Sequence, residues 1–209
     1  GTPMSKLNVD QKAIIDLLSD KKADFLIPDY QRPYAWSEEQ CQTLWDDIFL
    51  FSFPDNNYEA FDDNEEYFLG SIVTYKNKNG KSEVIDGQQR LTTLMLILRA
   101  FYDKFESMKD KNSILTRDRI EKCIWKTDTF GTADKNTLKI DSEVATDNDK
   151  DEFLELLRTG VVKKGSKSQY VLNYQFFQKK IDEFLQEFPS FFPYLPARIL
   201  SNCILLPIE

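Results

Sequence analysis

The sequence predicts an α+β domain in which a β-hairpin leads into a buried central helix, followed by a mainly helical C-terminal part. Three observations carry this. Tyr67 to Tyr75 and Ser82 to Ile85 read as strands, joined across the hairpin turn signal Asn79-Gly80. Leu91, Leu94, Met95, Leu98, Phe101 and Phe105 keep the i, i+3, i+4, i+7 spacing, and Leu96 and Ile97 add apolar cover behind them. A helix apolar on both sides belongs inside a domain. Beyond Lys109 helical spacing dominates until the apolar run Cys203-Ile204-Leu205-Leu206-Pro207-Ile208, which reads as a buried strand.

In chain order, Gly1-Thr2-Pro3 before Met4 resembles a remnant of tag cleavage and is left out of fold reasoning. Asn8 or Asp10 can cap a first helix carrying Ile14, Leu17 and Leu18. Phe25-Leu26-Ile27 is a short strand ended by Pro28. Pro28 to Trp36 is stiffened by two prolines and cannot be helical. It carries Tyr30, Tyr34, Trp36 and Arg32 where an ordinary surface loop holds small polar residues. Ser37-Glu38-Glu39-Gln40 is a capping box opening a helix to about Leu50, with Cys41, Leu44, Trp45 and Ile48 inward. Asp55 to Glu66 is an acidic solvated loop, and Gly70 marks a bulge or a close backbone approach. Downstream, Ile114 to Trp125 is a helix, Thr137 to Ser142 a short strand, and Asp151 to Arg158 a helix stopped at Gly160. Asn173 to Phe188 is the last helix. The expected division is residues 4–108 with the hairpin and buried helix, then 109–209 as a helical extension ending in a strand, cut from a longer protein.

Composition narrows the chemistry. The chain has no histidine, so histidine triads, HNH-type centres and most zinc sites are excluded from it. Its three cysteines are far apart and odd in number, which suits reduced core residues better than disulfides. No signal peptide or membrane-length apolar run is present, and the expectation is a cytoplasmic protein without membrane contact. The net charge of −8 is uneven: Asp55 to Glu66 has no Lys or Arg, and Val161 to Lys180 has no acid. Within that basic stretch, Lys163, Lys164 and Lys167 offer the likeliest polyanion contact by composition, although such runs are usually solvated.

The stretch Val84-Ile85-Asp86-Gly87-Gln88-Gln89-Arg90 places a polar glycine turn at the N-terminus of the buried helix. Free N–H groups and the positive end of the helix dipole make that an anion site, with phosphate as the first candidate. The plainer reading is a capping box with Asp86 as N-cap and Gln89 three residues on. It does not account for Arg90, a cation in a first turn where the dipole disfavours one. Arg32, held between prolines, offers a second guanidinium suited to phosphate.

Three segments in this order resemble a known pattern: Ile27 to Trp36, Tyr67 to Ile72, and Val84 to Leu94 with its Asp-Gly-Gln-Gln-Arg run. The sequence looks like the N-terminal domain of GmrSD-type, modification-dependent restriction endonucleases, related to the ParB and sulfiredoxin fold. The likeness is strongest over Phe25 to Ala100, with Asn173-Tyr174 and the last strand also similar. It implies a ParB-like mixed sheet and an NTP-binding, NTP-hydrolysing domain of a phage-defence protein. It also implies DNA as partner and an HNH-type nuclease domain or subunit elsewhere.

On this reading Asp86, Gln88, Gln89 and Arg90 are the catalytic residues, and Tyr30, Gln31, Arg32, Trp36, Gly70, Ser71, Gly87 and Thr92 bind nucleotide or phosphate. Asp86 would hold Mg²⁺ or orient water, Gln88 or Gln89 would position that water, and Arg32 and Arg90 would clamp the phosphate from two sides. Two rivals stand beside it. One is a non-catalytic module gripping a DNA phosphate with help from Lys163, Lys164 and Lys167. The other is a direct nuclease, which lacks an assignable second carboxylate.

Overall fold

The hairpin signalled by Asn79-Gly80 forms the middle of the molecule. A computed structural model describes residues 10–209. In it β3 (Tyr67–Lys76) pairs antiparallel with β4 (Ser82–Asp86), and the turn is tied by Asn77 N donating to Lys81 O at 2.9 Å. Gly80 takes a positive φ there. The remaining strands are β1 (Lys12–Ala13), β2 (Phe25–Ile27), β7 (Ile140–Ser142) and β8 (Cys203–Ile208), in the order β1-β8-β3-β4-β2-β7. β8 lies parallel to β3, β2 lies parallel to both β4 and β7, and β1 is antiparallel to β8. The sheet is therefore mixed. A separate hairpin joins β5 (Trp125–Thr127) to β6 (Ala133–Leu138).

The α-helices are α1 (Ile14–Leu18), α2 (Glu38–Ser52), α3 (Gln88–Phe105), α4 (Lys111–Ile124), α5 (Lys150–Thr159), α6 (Gln169–Glu187) and α7 (Tyr194–Asn202), and short 3-10 turns occupy Pro54–Asn56 and Tyr58–Ala60 in the acidic stretch. The all-round apolar α3 is buried on every side as its sequence requires, packed between α4 and α6. Ile72 and Val84 from the hairpin, Phe25 and Ile27 from β2, and Leu205 from β8 join the same core. The phenylalanines concentrate where α2 meets α6 and the approach to α7: Phe53 stacks on Phe191 at 5.0 Å, and Trp45 lies 6.2 Å from Phe101. All three cysteines are free and buried, with thiols pushed up to about 12 chiefly by burial, so none is a thiolate at neutral pH.

Ser37 and Gln40 form the expected capping box on α2, and Gly160 ends α5 in the left-handed conformation. Elsewhere element ends differ from the sequence reading. α1 starts after Ala13 with no side-chain cap, because Lys12–Ala13 is taken into the sheet by β8; Asn8 lies outside the described residues. Asp110 caps α4, which begins at Lys111 and releases Trp125 into β5. The single strand expected over Thr137–Ser142 is two strands broken at Lys139, whose buried Nζ donates to Asp20 O at 2.6 Å. α6 begins at Gln169, four residues earlier than Asn173, with Ser168 as its cap accepting from Val171 N at 3.1 Å. The strand of the C-terminal extension, β8, sits between β1 and β3, so both parts of the chain share one sheet and one core.

Candidate phosphate site at the start of helix α3

The N-cap of α3 is Gly87, with φ +94, and no side chain caps the helix. Asp86 ends β4 instead, exposed, with no hydrogen bond to its carboxylate among the described residues. The capping-box reading of Asp86 and Gln89 is thus corrected: the hairpin register holds Asp86 opposite Val73, and the first turn of α3 starts one residue later. A β-carbon at Gly87 would stand 2.7 Å from the Ser71 carbonyl oxygen, so backbone angle and space both demand glycine. The first-turn N–H groups of α3 are left without a side-chain acceptor, the arrangement that receives anions.

The glutamines fasten the proline loop to this turn. Gln31 Nε2 donates to Val84 O at 3.1 Å and Ile85 O at 2.9 Å, and Gln88 Nε2 donates to Gln31 Oε1 at 3.0 Å. Gln89 Oε1 accepts from Ala35 N at 2.8 Å while its Nε2 donates to Pro33 O at 3.2 Å. Behind the loop, the Tyr34 hydroxyl meets Thr93 Oγ1 at 2.7 Å, and Asn173 Nδ2 donates to Tyr34 Oη at 2.8 Å and Trp36 O at 2.9 Å. Burial keeps the Tyr34 phenol protonated. Both ends of the Gln89 amide are therefore committed to backbone, and Gln89 holds the loop rather than a water. Among the described residues no group donates to Gln88 Oε1. Thr92 is buried beneath the turn, only 2% exposed, and is likewise placed for packing.

Arg90 is the cation that needs explaining. Its guanidinium lies flat on Gly70, where a β-carbon would come within 2.6 Å of Cζ, and Nη1 donates weakly to Ser71 O at 3.4 Å. Gly70 is both things its sequence position suggested: β3 bulges there against β8, and the backbone is closely approached. No carboxylate pairs with Arg90 among the described residues. Beside it opens a cavity of about 350 Å³ between α2, the end of the proline loop, and the start of β3. Trp36, Tyr67, Asp47 and Thr43 share its wall with Arg90. The Tyr67 phenol is pushed up, first by burial and then by Asp47, so it stays protonated and donates to Asp47 Oδ2 at 3.3 Å. Gly70→Ala is expected to displace the guanidinium and to weaken any anion binding at Arg90 as much as Arg90→Ala does, which a phosphate titration of both variants measures.

The structure brings Trp36, Gly70, Ser71, Gly87 and Arg90 together. It does not gather Arg32, which stands exposed on the proline loop outside that cavity, nor Tyr30, 64% exposed. The two-sided arginine clamp is not preassembled, because Pro33 and the Gln31 contacts fix the loop with Arg32 facing outward. Lys163, Lys164 and Lys167 are exposed ahead of α6, but the hollow next to Lys163 is lined by Asp151, Glu152 and Glu155, which offset their attraction for a polyanion. As to a metal, no group of three or more His, Cys, Asp or Glu residues is placed to hold one among the described residues. An Mg²⁺ held there would have the Asp86 carboxylate as its one protein ligand and would need phosphate oxygens and water for the rest. Sequence reasoning missed Asp47 and Thr43; with Glu39 they form an i, i+4, i+8 polar stripe on α2, the one signal that marked them.

The chain is thus a mixed-sheet α+β domain whose central helix starts without a side-chain cap, next to an arginine that has no carboxylate partner among the described residues. A family model described as GmrSD restriction endonuclease, N-terminal domain, matches residues 14–209. The chain belongs to that family and is a module of the restriction, phage-defence kind, for which DNA is the partner the family implies. No curated protein matches it. No described helix is long and apolar enough to cross a membrane.

Proposed function

We propose that this domain binds a nucleoside triphosphate at the start of α3 and hydrolyses it in the service of DNA restriction. The observation that carries the reading is Arg90, a cation with no carboxylate partner among the described residues, held against Gly70 beside an uncapped helix N-terminus. A phosphate seated on the N–H groups of Gln88, Gln89 and Arg90 would offset a charge that the dipole otherwise disfavours. Arg90 would then stabilise charge building on the transferred phosphoryl group. Asp86, free and exposed, is the residue to orient the attacking water or to take Mg²⁺, which would supply charge neutralisation on the phosphate oxygens. Gln88, through its uncommitted oxygen, is the remaining candidate to position water. An HNH-type nuclease partner belongs to the same proposal.

Asp86→Ala and Arg90→Ala are each expected to abolish NTP hydrolysis with unfolding midpoints near wild type, measured by phosphate release and thermal melts. Wild-type protein that binds no nucleotide with or without Mg²⁺ sinks the reading. Salt-sensitive DNA binding without turnover would favour the same turn gripping a DNA phosphate, a reading supported by the family's partner.

A further inference from the structure

The cavity beside Arg90 is lined by groups of two kinds, and the proposed phosphate site uses one of them. Arg90 is the cationic end. Glu39, Thr43 and Asp47, from successive turns of α2, line the same cavity with exposed acceptors, as do Trp36 and Tyr67 with flat rings. Tyr67 fixes the Asp47 carboxylate through its hydroxyl at 3.3 Å, and burial keeps that hydroxyl a donor. An occupant must therefore bring acceptors or negative charge to Arg90, a flat apolar body to the aromatic walls, and N–H donors to the carboxylate. A nucleotide has this polarity along its length.

The four common bases differ in what they offer a carboxylate. Guanine presents two adjacent donors, the ring N1–H and the exocyclic amino group, which a carboxylate accepts with both oxygens. Adenine and cytosine offer an amino group next to a ring acceptor, which the carboxylate repels. Uracil offers one N–H between two carbonyls, which it also repels. A base that brings an acceptor to the carboxylate forfeits the paired hydrogen bonds that guanine makes and binds less tightly.

Resting on the nucleotide reading, we propose that the cavity is a base pocket, that Asp47 selects guanine, and that GTP is the substrate. Asp47 is a specificity-determining residue here and takes no part in the chemistry. Asn in its place keeps the size and still accepts from Tyr67, but its amide donates where the carboxylate accepted. It should turn away the guanine amino group and suit xanthine, which carries an oxygen at that position.

The test is titration of purified domain with GTP, ATP, CTP, UTP and XTP, in Mg²⁺, for wild type and Asp47→Asn, with a thermal melt confirming that the variant folds. Wild type is expected to bind GTP most tightly. Asp47→Asn should weaken GTP by roughly ten- to hundredfold, the worth of a hydrogen bond to a charged group, and should gain XTP. Equal binding of all bases by both proteins overturns the pocket assignment while leaving the phosphate site standing. No binding of any nucleotide by wild type overturns both.

Discussion

Gly87→Ala is expected to unfold the domain more readily than any other single-methyl change near the site, and to abolish NTP hydrolysis in whatever remains folded. Two costs combine. The backbone sits at φ +94, where a β-carbon costs about 1–2 kcal/mol. The added carbon would also stand 2.7 Å from the Ser71 carbonyl oxygen, and that oxygen belongs to the β3 backbone, which cannot step aside as a side chain can. Overpacking of this kind costs about 1–3 kcal/mol. A total of about 2–5 kcal/mol lowers the melting midpoint by roughly 4–20 °C for a domain of this size. Differential scanning calorimetry alongside phosphate release measures both effects. A variant with wild-type midpoint and full turnover would mean that the turn is not the tight junction described.

The second large effect lies away from the site, at Gly160. Arg99 is a buried cation, 2% exposed, with no carboxylate in pairing distance among the described residues. Its charge is accommodated by the C-terminal end of α5, where Nε donates to Leu157 O at 3.0 Å, and by the faces of Tyr102 and Trp125 at 5.1 and 5.4 Å. Gly160, at φ +72, closes over the guanidinium so tightly that a β-carbon would lie within 2.4 Å of Nη2. Gly160→Ala is expected to cost about 2–4 kcal/mol, from the left-handed backbone and the clash together. In an Arg99→Met background the clash disappears, and the same substitution should cost only the backbone share, about 1–2 kcal/mol. A double-mutant cycle in denaturant reads the difference; equal costs in both backgrounds would refute the coupling.

Legibility of the sequence varied with how local the governing physics is. The α2 capping box, the Gly160 stop and the Asn79-Gly80 hairpin follow from a few neighbouring residues, and they stand where the sequence put them. The buried character of α3 was equally plain, because no surface tolerates apolar residues on all sides. Asp86 and Gln89 misled, since spacing fits a capping box whether or not the backbone turns there; the register with Val73 decides otherwise. Gln89 is the sharper lesson. An amide that donates and accepts is equally suited to hold a water or two backbone groups, and only the approach of Pro33 and Ala35 distinguishes them. The cavity beside Arg90 was invisible because Trp36, Asp47, Tyr67 and Arg90 come from separate elements, and nothing in a linear reading says which side chains meet.

The placement of β8 carries a consequence for how the domain is made. Its residues lie far downstream of the hairpin, yet they are inserted between β1 and β3, beside the strand that begins at Tyr67. During synthesis the hairpin therefore emerges with one flank bare and must wait for more than a hundred further residues before its neighbour arrives. Such pairings of high contact order are slow to form and leave strand edges open to wrong partners in the meantime. Holding that edge safe until β8 has been made is a task suited to chaperones, and a nascent chain stalled before Cys203 would be their natural client.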